Sequence, residues 1–134
     1  MQKPIIYQML PRLWGNDKVR PKKNGGLSDN GTGKFNDIDY ATLEYLKWLG
    51  CSHVWYTGVI RHSTQASENG CTASHPQFVK GKAGSPYAIC DYYDVNVYLA
   101  NKTEENAEDV LDDLLMIQKL RQLPMTPIIK AALM

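Results

Sequence analysis

The sequence predicts an α/β protein opening with a βαβ unit, and three segments carry that prediction. A compact apolar run of strand length stands at residues 4–14, a helical apolar pattern at 40–49, and an apolar, β-branched run at 51–60. Gly50 makes a short turn between the last two. Strand, helix, strand in that order is how two parallel strands are joined.

The elements follow in chain order. Pro4 to Trp14 reads Pro-Ile-Ile-Tyr-Gln-Met-Leu-Pro-Arg-Leu-Trp, a buried first strand whose extent is limited by Pro11, which donates no ladder hydrogen bond. Residues 15–33 form a polar connection rich in glycine and lysine. Asp37 or Asp39 then offers a helix N-cap, Tyr40, Leu43, Leu46 and Leu49 recur at near-helical spacing, and Gly50 supplies the stop. The result is an amphipathic helix of about three turns. Cys51 to Ile60, Cys-Ser-His-Val-Trp-Tyr-Thr-Gly-Val-Ile, has the composition of a strand buried on both faces. Residues 61–84, rich in Ser, Thr, Gly, Asn and Lys, form a long loop. Further on, Val110, Leu111, Leu114, Leu115, Ile117 and Leu120 outline a helix. Asn101 or Thr103 stands near its start, Glu104 and Glu105 in its first turn, Lys119 and Arg121 in its last, and Pro124 stops it.

The segment richest in chemistry is Ser85 to Asn96, Ser-Pro-Tyr-Ala-Ile-Cys-Asp-Tyr-Tyr-Asp-Val-Asn. Flat aromatic faces cover the apolar C–H faces of a pyranose, while carboxylates and amides meet its hydroxyls, and loops on a rigid scaffold commonly hold such groups. A structural turn leading into a strand explains the same composition, and the surroundings decide between the two.

Those surroundings resemble the N-terminal part of the α-amylase family of glycoside hydrolases, whose catalytic domain is a (β/α)8 barrel. The motifs are Ile5 to Gly15 as first strand, Gly33 to Tyr40 before a helix, Leu43 to Val59 as helix plus second strand, and Tyr87 to Asn96 in the long loop after it. They cover residues 4 to about 100 in family order. The resemblance implies a partial TIM barrel, the first two to three βα units, spanning residues 4–134, with 100–134 divergent from the family pattern. It implies that Tyr87 stacks on the sugar and that Asp91, Tyr92, Val95 and Asn96 shape the loop that holds it, which makes Tyr87, Asp91 and Tyr92 the candidate substrate-binding residues; Trp55 is a further candidate for weak contact. Ala88 departs from the large residue often found after that tyrosine.

Glycoside hydrolysis requires two carboxyl groups flanking the scissile bond. In the family these arrive on strands four and five, with a third essential carboxylate on strand seven and an aspartate, asparagine and histidine at strand three. Residues 125–134 sit where strand three belongs, yet Lys130 occupies the place of the aspartate. A complete barrel takes roughly 250 residues, so 134 provide about half. The expectation is a fragment of a retaining glycosidase for α-glucosidic bonds in starch-like glucans, inactive alone, with no catalytic residue of its own and an α-glucan or maltooligosaccharide as partner. Calcium belongs to the full-length family, with its usual ligands largely outside this chain, so no cofactor is expected here. The alternative is a non-catalytic carbohydrate-binding module. Strands cut from a barrel leave open edges that invite self-association. An unrelated α/β protein with fortuitous motifs is a third reading, disfavoured by their order.

Other classes find little support. The net charge is +1 and gives no general attraction to nucleic acid or membrane. Lys18, Arg20, Lys22 and Lys23 form a basic cluster without interleaved aromatics, as a solvated loop would. No apolar run reaches the length of a membrane span, and Met-Gln-Lys-Pro leads straight into the first strand without a signal peptide, implying a cytoplasmic chain or a mature form. Three cysteines argue against a fully paired disulfide framework; Cys51 and Cys90 read as buried free thiols. Cys71 with His75 and Cys51 with His53 match no common zinc spacing, and His53, His62 and His75 read as structural or solvated. The glycine pairs near residues 25 and 31–33 lack the setting of a phosphate loop.

Overall fold

Two parallel strands and the helix that crosses between them carry the core. The structure is a computed structural model that describes residues 3–67 and 72–100. Strand β1, Ile6–Met9, pairs in parallel with β2, His53–Tyr56, in the register Ile6 with His53, Tyr7 with Val54, Gln8 with Trp55 and Met9 with Tyr56. Between them lie a single-turn helix α1, Leu27–Asn30, a 3₁₀ turn, Phe35–Asp37, and the crossover helix α2, Tyr40–Trp48. The helical pattern, the parallel strands and the long loop after β2 are as the sequence predicts. Asp39 is the N-cap: its side chain accepts from the Thr42 amide at 2.8 Å. Gly50 ends the helix at φ +82°, a conformation other residues rarely adopt.

The register sorts side chains by face. Tyr7, Met9, Val54 and Tyr56 lie on the face that packs against Leu43 and Leu46 of α2, together with Phe35, Ile38, Val59, Val95 and Leu99. Leu43, Leu46, Val54 and Leu99 are fully buried, each stabilising the fold by about 1.5–3 kcal/mol. Burial also leaves the Tyr56 hydroxyl without a hydrogen-bond partner among the described residues and pushes its pKa upward by desolvation.

Four expectations need correction. The first strand is not buried: Ile5 and Ile6 are 55% and 51% exposed, because α2 covers one face of the two-stranded sheet and Ile6 and Gln8 lie on the other. For the same reason β2 is buried on one face rather than both, with His53 and Trp55 partly exposed. On α2 the buried stripe narrows to Leu43 and Leu46, while Tyr40 and Leu49 are largely exposed. Cys51 is a free, partly buried thiol packed against the core, but Cys90 is exposed, since its loop runs over the surface. The divergent region at 100–134, with its helix and third strand, lies outside the described residues apart from Ala100, and so does Cys71.

Candidate functional site

The loop after β2 returns on itself, and that return positions Tyr87. Ile60 bridges Val95 and His62 bridges Ile89, both antiparallel. Backbone bonds from Arg61 to Asp94, Ser63 to Ala88 and Cys90 to Arg61 complete the pairing. Asn96 anchors its end by donating through Nδ2 to the Gly58 carbonyl at 3.1 Å while its Oδ1 accepts from the Tyr98 amide at 3.2 Å. An Arg61–Asp94 ion pair at 2.6 Å ties the two arms together. At the tip, Ala88 N donates to Ser85 O at 3.0 Å, closing a turn with Pro86 at its second position, where the fixed φ of proline is already correct.

Tyr87 stands on that turn beside the C-terminal ends of both strands. Gln8 Nε2 of β1 donates to the Tyr87 hydroxyl at 3.4 Å and to Thr57 Oγ1, just past β2, at 2.9 Å. The ring is 70% exposed, so a face is available to a ligand. Asp91 is used locally: its Oδ1 accepts from the Tyr93 amide at 2.9 Å, an Asx turn that shapes the loop. Tyr92 and Tyr93 are exposed. No hydrogen bond or ring contact joins Tyr87 to Asp91 or Tyr92 among the described residues. Trp55 pairs in register with Gln8 on the open sheet face, the same face that directs Gln8 toward Tyr87.

A cleft of about 670 Å³ opens between the loop after β1 and the loop after β2. Its lining includes Arg12, Lys18, His62 and Lys82, but not Tyr87, Asp91 or Tyr92. Arg12 closes one side: Nη1 donates to the Gly84 carbonyl at 3.1 Å and the Ala83 carbonyl at 3.4 Å. Its guanidinium is partly desolvated, which lowers its pKa from the ordinary value. His62 is buried, with Nε2 3.1 Å from the Ala83 carbonyl and Nδ1 3.4 Å from the Ile60 carbonyl. Burial lowers its pKa, the Arg12 charge lowers it further, and the two carbonyls oppose this in part. From the sequence His62 reads as structural or solvated, and nothing there singles out Arg12 or Lys82. Arg12 and Gly84 are 72 positions apart, a distance at which no local pattern signals a contact.

Among the described residues no three His, Cys, Asp or Glu side chains group closely enough to hold a metal ion. None of the described helices is long and apolar enough to cross a membrane.

Comparison with solved structures shows an α-amylase-like fold. The α-amylase of Geobacillus thermoleovorans, solved with acarbose, aligns over 91% of this chain and 21% of its own at 17% identity and a TM-score of 0.56. The trehalose-6-phosphate hydrolase of Bacillus licheniformis aligns over 91% of this chain and 16% of its own at 20% identity and a TM-score of 0.51. The chain thus spans about a fifth of the length of these structures. Its sequence matches no protein-family model and, at a significant level, no curated protein.

Proposed function

We propose that this chain supplies the N-terminal strands and the long second loop of an α-amylase-like glycosidase barrel, and that Tyr87 stacks on the sugar ring of an α-glucan or maltooligosaccharide. The observation that carries the reading is the shared fold over 91% of the chain with an α-amylase solved with acarbose. The position of Tyr87 supports it. Sites in such barrels form at the C-terminal ends of the strands, and the Gln8 bond holds Tyr87 there with an exposed ring. Asp91 acts as a loop-shaping residue, and Tyr92 and Trp55 add aromatic surface. The 134 residues bind without hydrolysing, because positioning without a paired acid and nucleophile leaves the chemical step uncatalysed.

Titration of the chain with maltotriose, followed by tyrosine and tryptophan resonances or fluorescence, tests this. Tyr87→Ala removes a stacking contact of about 1–2 kcal/mol and weakens binding roughly tenfold; unchanged affinity overturns the assignment. Starch hydrolysis by the purified chain above a blank overturns the expectation of inactivity. A second reading, a non-catalytic carbohydrate-binding or self-associating module, is favoured by one feature: the open sheet face of Ile6, Gln8, His53 and Trp55, with Ile5 and Ile6 half exposed. A purified chain that stays monomeric by light scattering counts against self-association.

A further inference from the structure

The cleft between the two loops is distinct from the Tyr87 surface, and its electrostatics are one-sided. Arg12, Lys18 and Lys82 line it together with His62, and among the described residues no aspartate or glutamate does. Asp29, which the Lys82 charge reaches, is engaged elsewhere: it pairs with Lys22 at 3.3 Å and accepts from the Gly26 amide at 3.1 Å. Among the described residues only Nη1 of Arg12 is hydrogen-bonded, and to carbonyls, which carry no full negative charge. Its remaining donors are not used. A partly desolvated guanidinium with free donors and no carboxylate partner is an incomplete arrangement, because its fork geometry matches a phosphate or carboxylate. Cations that line one cleft with low-dielectric walls also concentrate anions from solution.

The rest of the lining narrows the ligand. Thr32 Oγ1 donates to the Arg12 carbonyl at 3.4 Å and Thr64 Oγ1 to the Ala66 carbonyl at 3.2 Å. Each hydroxyl oxygen therefore keeps lone pairs that accept from a donor such as a sugar hydroxyl. The volume is far larger than a bare phosphate and lies within the range of small-molecule sites. We infer that this cleft binds a sugar phosphate, with Arg12, Lys18 and Lys82 around the phosphate and the threonine hydroxyls toward the sugar. This does not depend on the role proposed for Tyr87, since Tyr87 does not line the cleft.

Calorimetric titration of the 134-residue chain with glucose 6-phosphate, inorganic phosphate and glucose tests the assignment. Glucose 6-phosphate should bind most tightly, inorganic phosphate at least about tenfold more weakly, and glucose more weakly still. Added salt should weaken the first two. Lys18→Gln with Lys82→Gln, two solvent-facing changes that leave the core untouched, should cost about tenfold in glucose 6-phosphate affinity, and Arg12→Lys, which keeps the charge but loses the fork, a comparable amount. Equal affinity for glucose and glucose 6-phosphate, no detectable binding of either, or insensitivity to the double substitution overturns the anion site. Equal affinity for phosphate and glucose 6-phosphate overturns the sugar part. The maltotriose titration reads a different surface, so either reading can fail while the other stands.

Discussion

The βα core and the returning loop are built on different principles. The core, β1, α2 and β2, is held by apolar side chains that meet in one cluster, and a neighbouring methyl group can partly fill what another vacates. The loop from Thr57 to Ala100 is held by backbone pairing, one ion pair and single side chains such as Arg12 and Asn96 that each bind two partners. Stability resides in the first region. Tyr87 stands exposed on the second region, and the cleft joins that region to the loop after β1, which supplies Arg12 and Lys18, so polar and aromatic groups gather on loops that the core carries.

The largest effect expected is in the core. Leu46 is fully buried in the core cluster that includes Met9 and Val54 of the two strands, so Leu46→Ala should destabilise the fold by about 2–5 kcal/mol, measured by urea unfolding. A loss comparable to that of an exposed substitution such as Lys47→Ala would show that α2 does not anchor the sheet.

A smaller effect separates close approach from backbone strain in the loop. Gly84 has φ +66°, and a Cβ built there would come within 1.9 Å of the Ser63 carbonyl oxygen, whereas Gly81, at φ +74°, has open space around it. Gly81→Ala therefore meets conformational strain alone, about 1–3 kcal/mol, and Gly84→Ala must in addition move the backbone of the opposite arm. Gly84→Ala should lose more stability, and it should also weaken glucose 6-phosphate binding because Arg12 binds the Gly84 carbonyl. Equal losses for the two alanines would mean that the arms are not fixed against each other.

The same contrast sets what could be read from the sequence. Leu43 and Leu46 at helical spacing, the Asp39 cap and the Gly50 stop are local signals, and the helix and both strands follow from them. The burial of β1 is not legible, because an apolar run such as Ile5 and Ile6 does not reveal how many layers cover it; here the described structure covers one face. The aromatic, turn-rich segment around Tyr87 is explained as well by a structural turn, and it is the family resemblance that singles Tyr87 out. The cleft is not legible either: Arg12, His62 and Lys82 come together through carbonyl contacts at Ala83 and Gly84, and carbonyls carry no sequence signal.

The smallest effect expected is a pH dependence from His62, which lies where the two loops meet. Desolvation holds its pKa below the ordinary value of about 6.5; the Ala83 and Ile60 carbonyls oppose this in part, and the Arg12 charge adds a smaller lowering. The folded chain therefore resists a proton that the unfolded chain accepts. The stability contribution is whole above about pH 6.5, declines as pH falls below it, and levels off beneath the folded-state pKa, with a slope of at most about 1.4 kcal/mol per pH unit. His62→Gln removes this proton, so its stability should be flatter than that of the native chain between pH 6.5 and 5, whatever the substitution costs at neutral pH. Saturating glucose 6-phosphate should shrink the native slope as well, because a bound anion offsets the Arg12 charge and makes a protonated His62 easier to accommodate. Parallel stability curves for the native and His62→Gln chains would mean that His62 takes up its proton as readily in the folded loop as in the unfolded chain, and that the two arms leave it open to water.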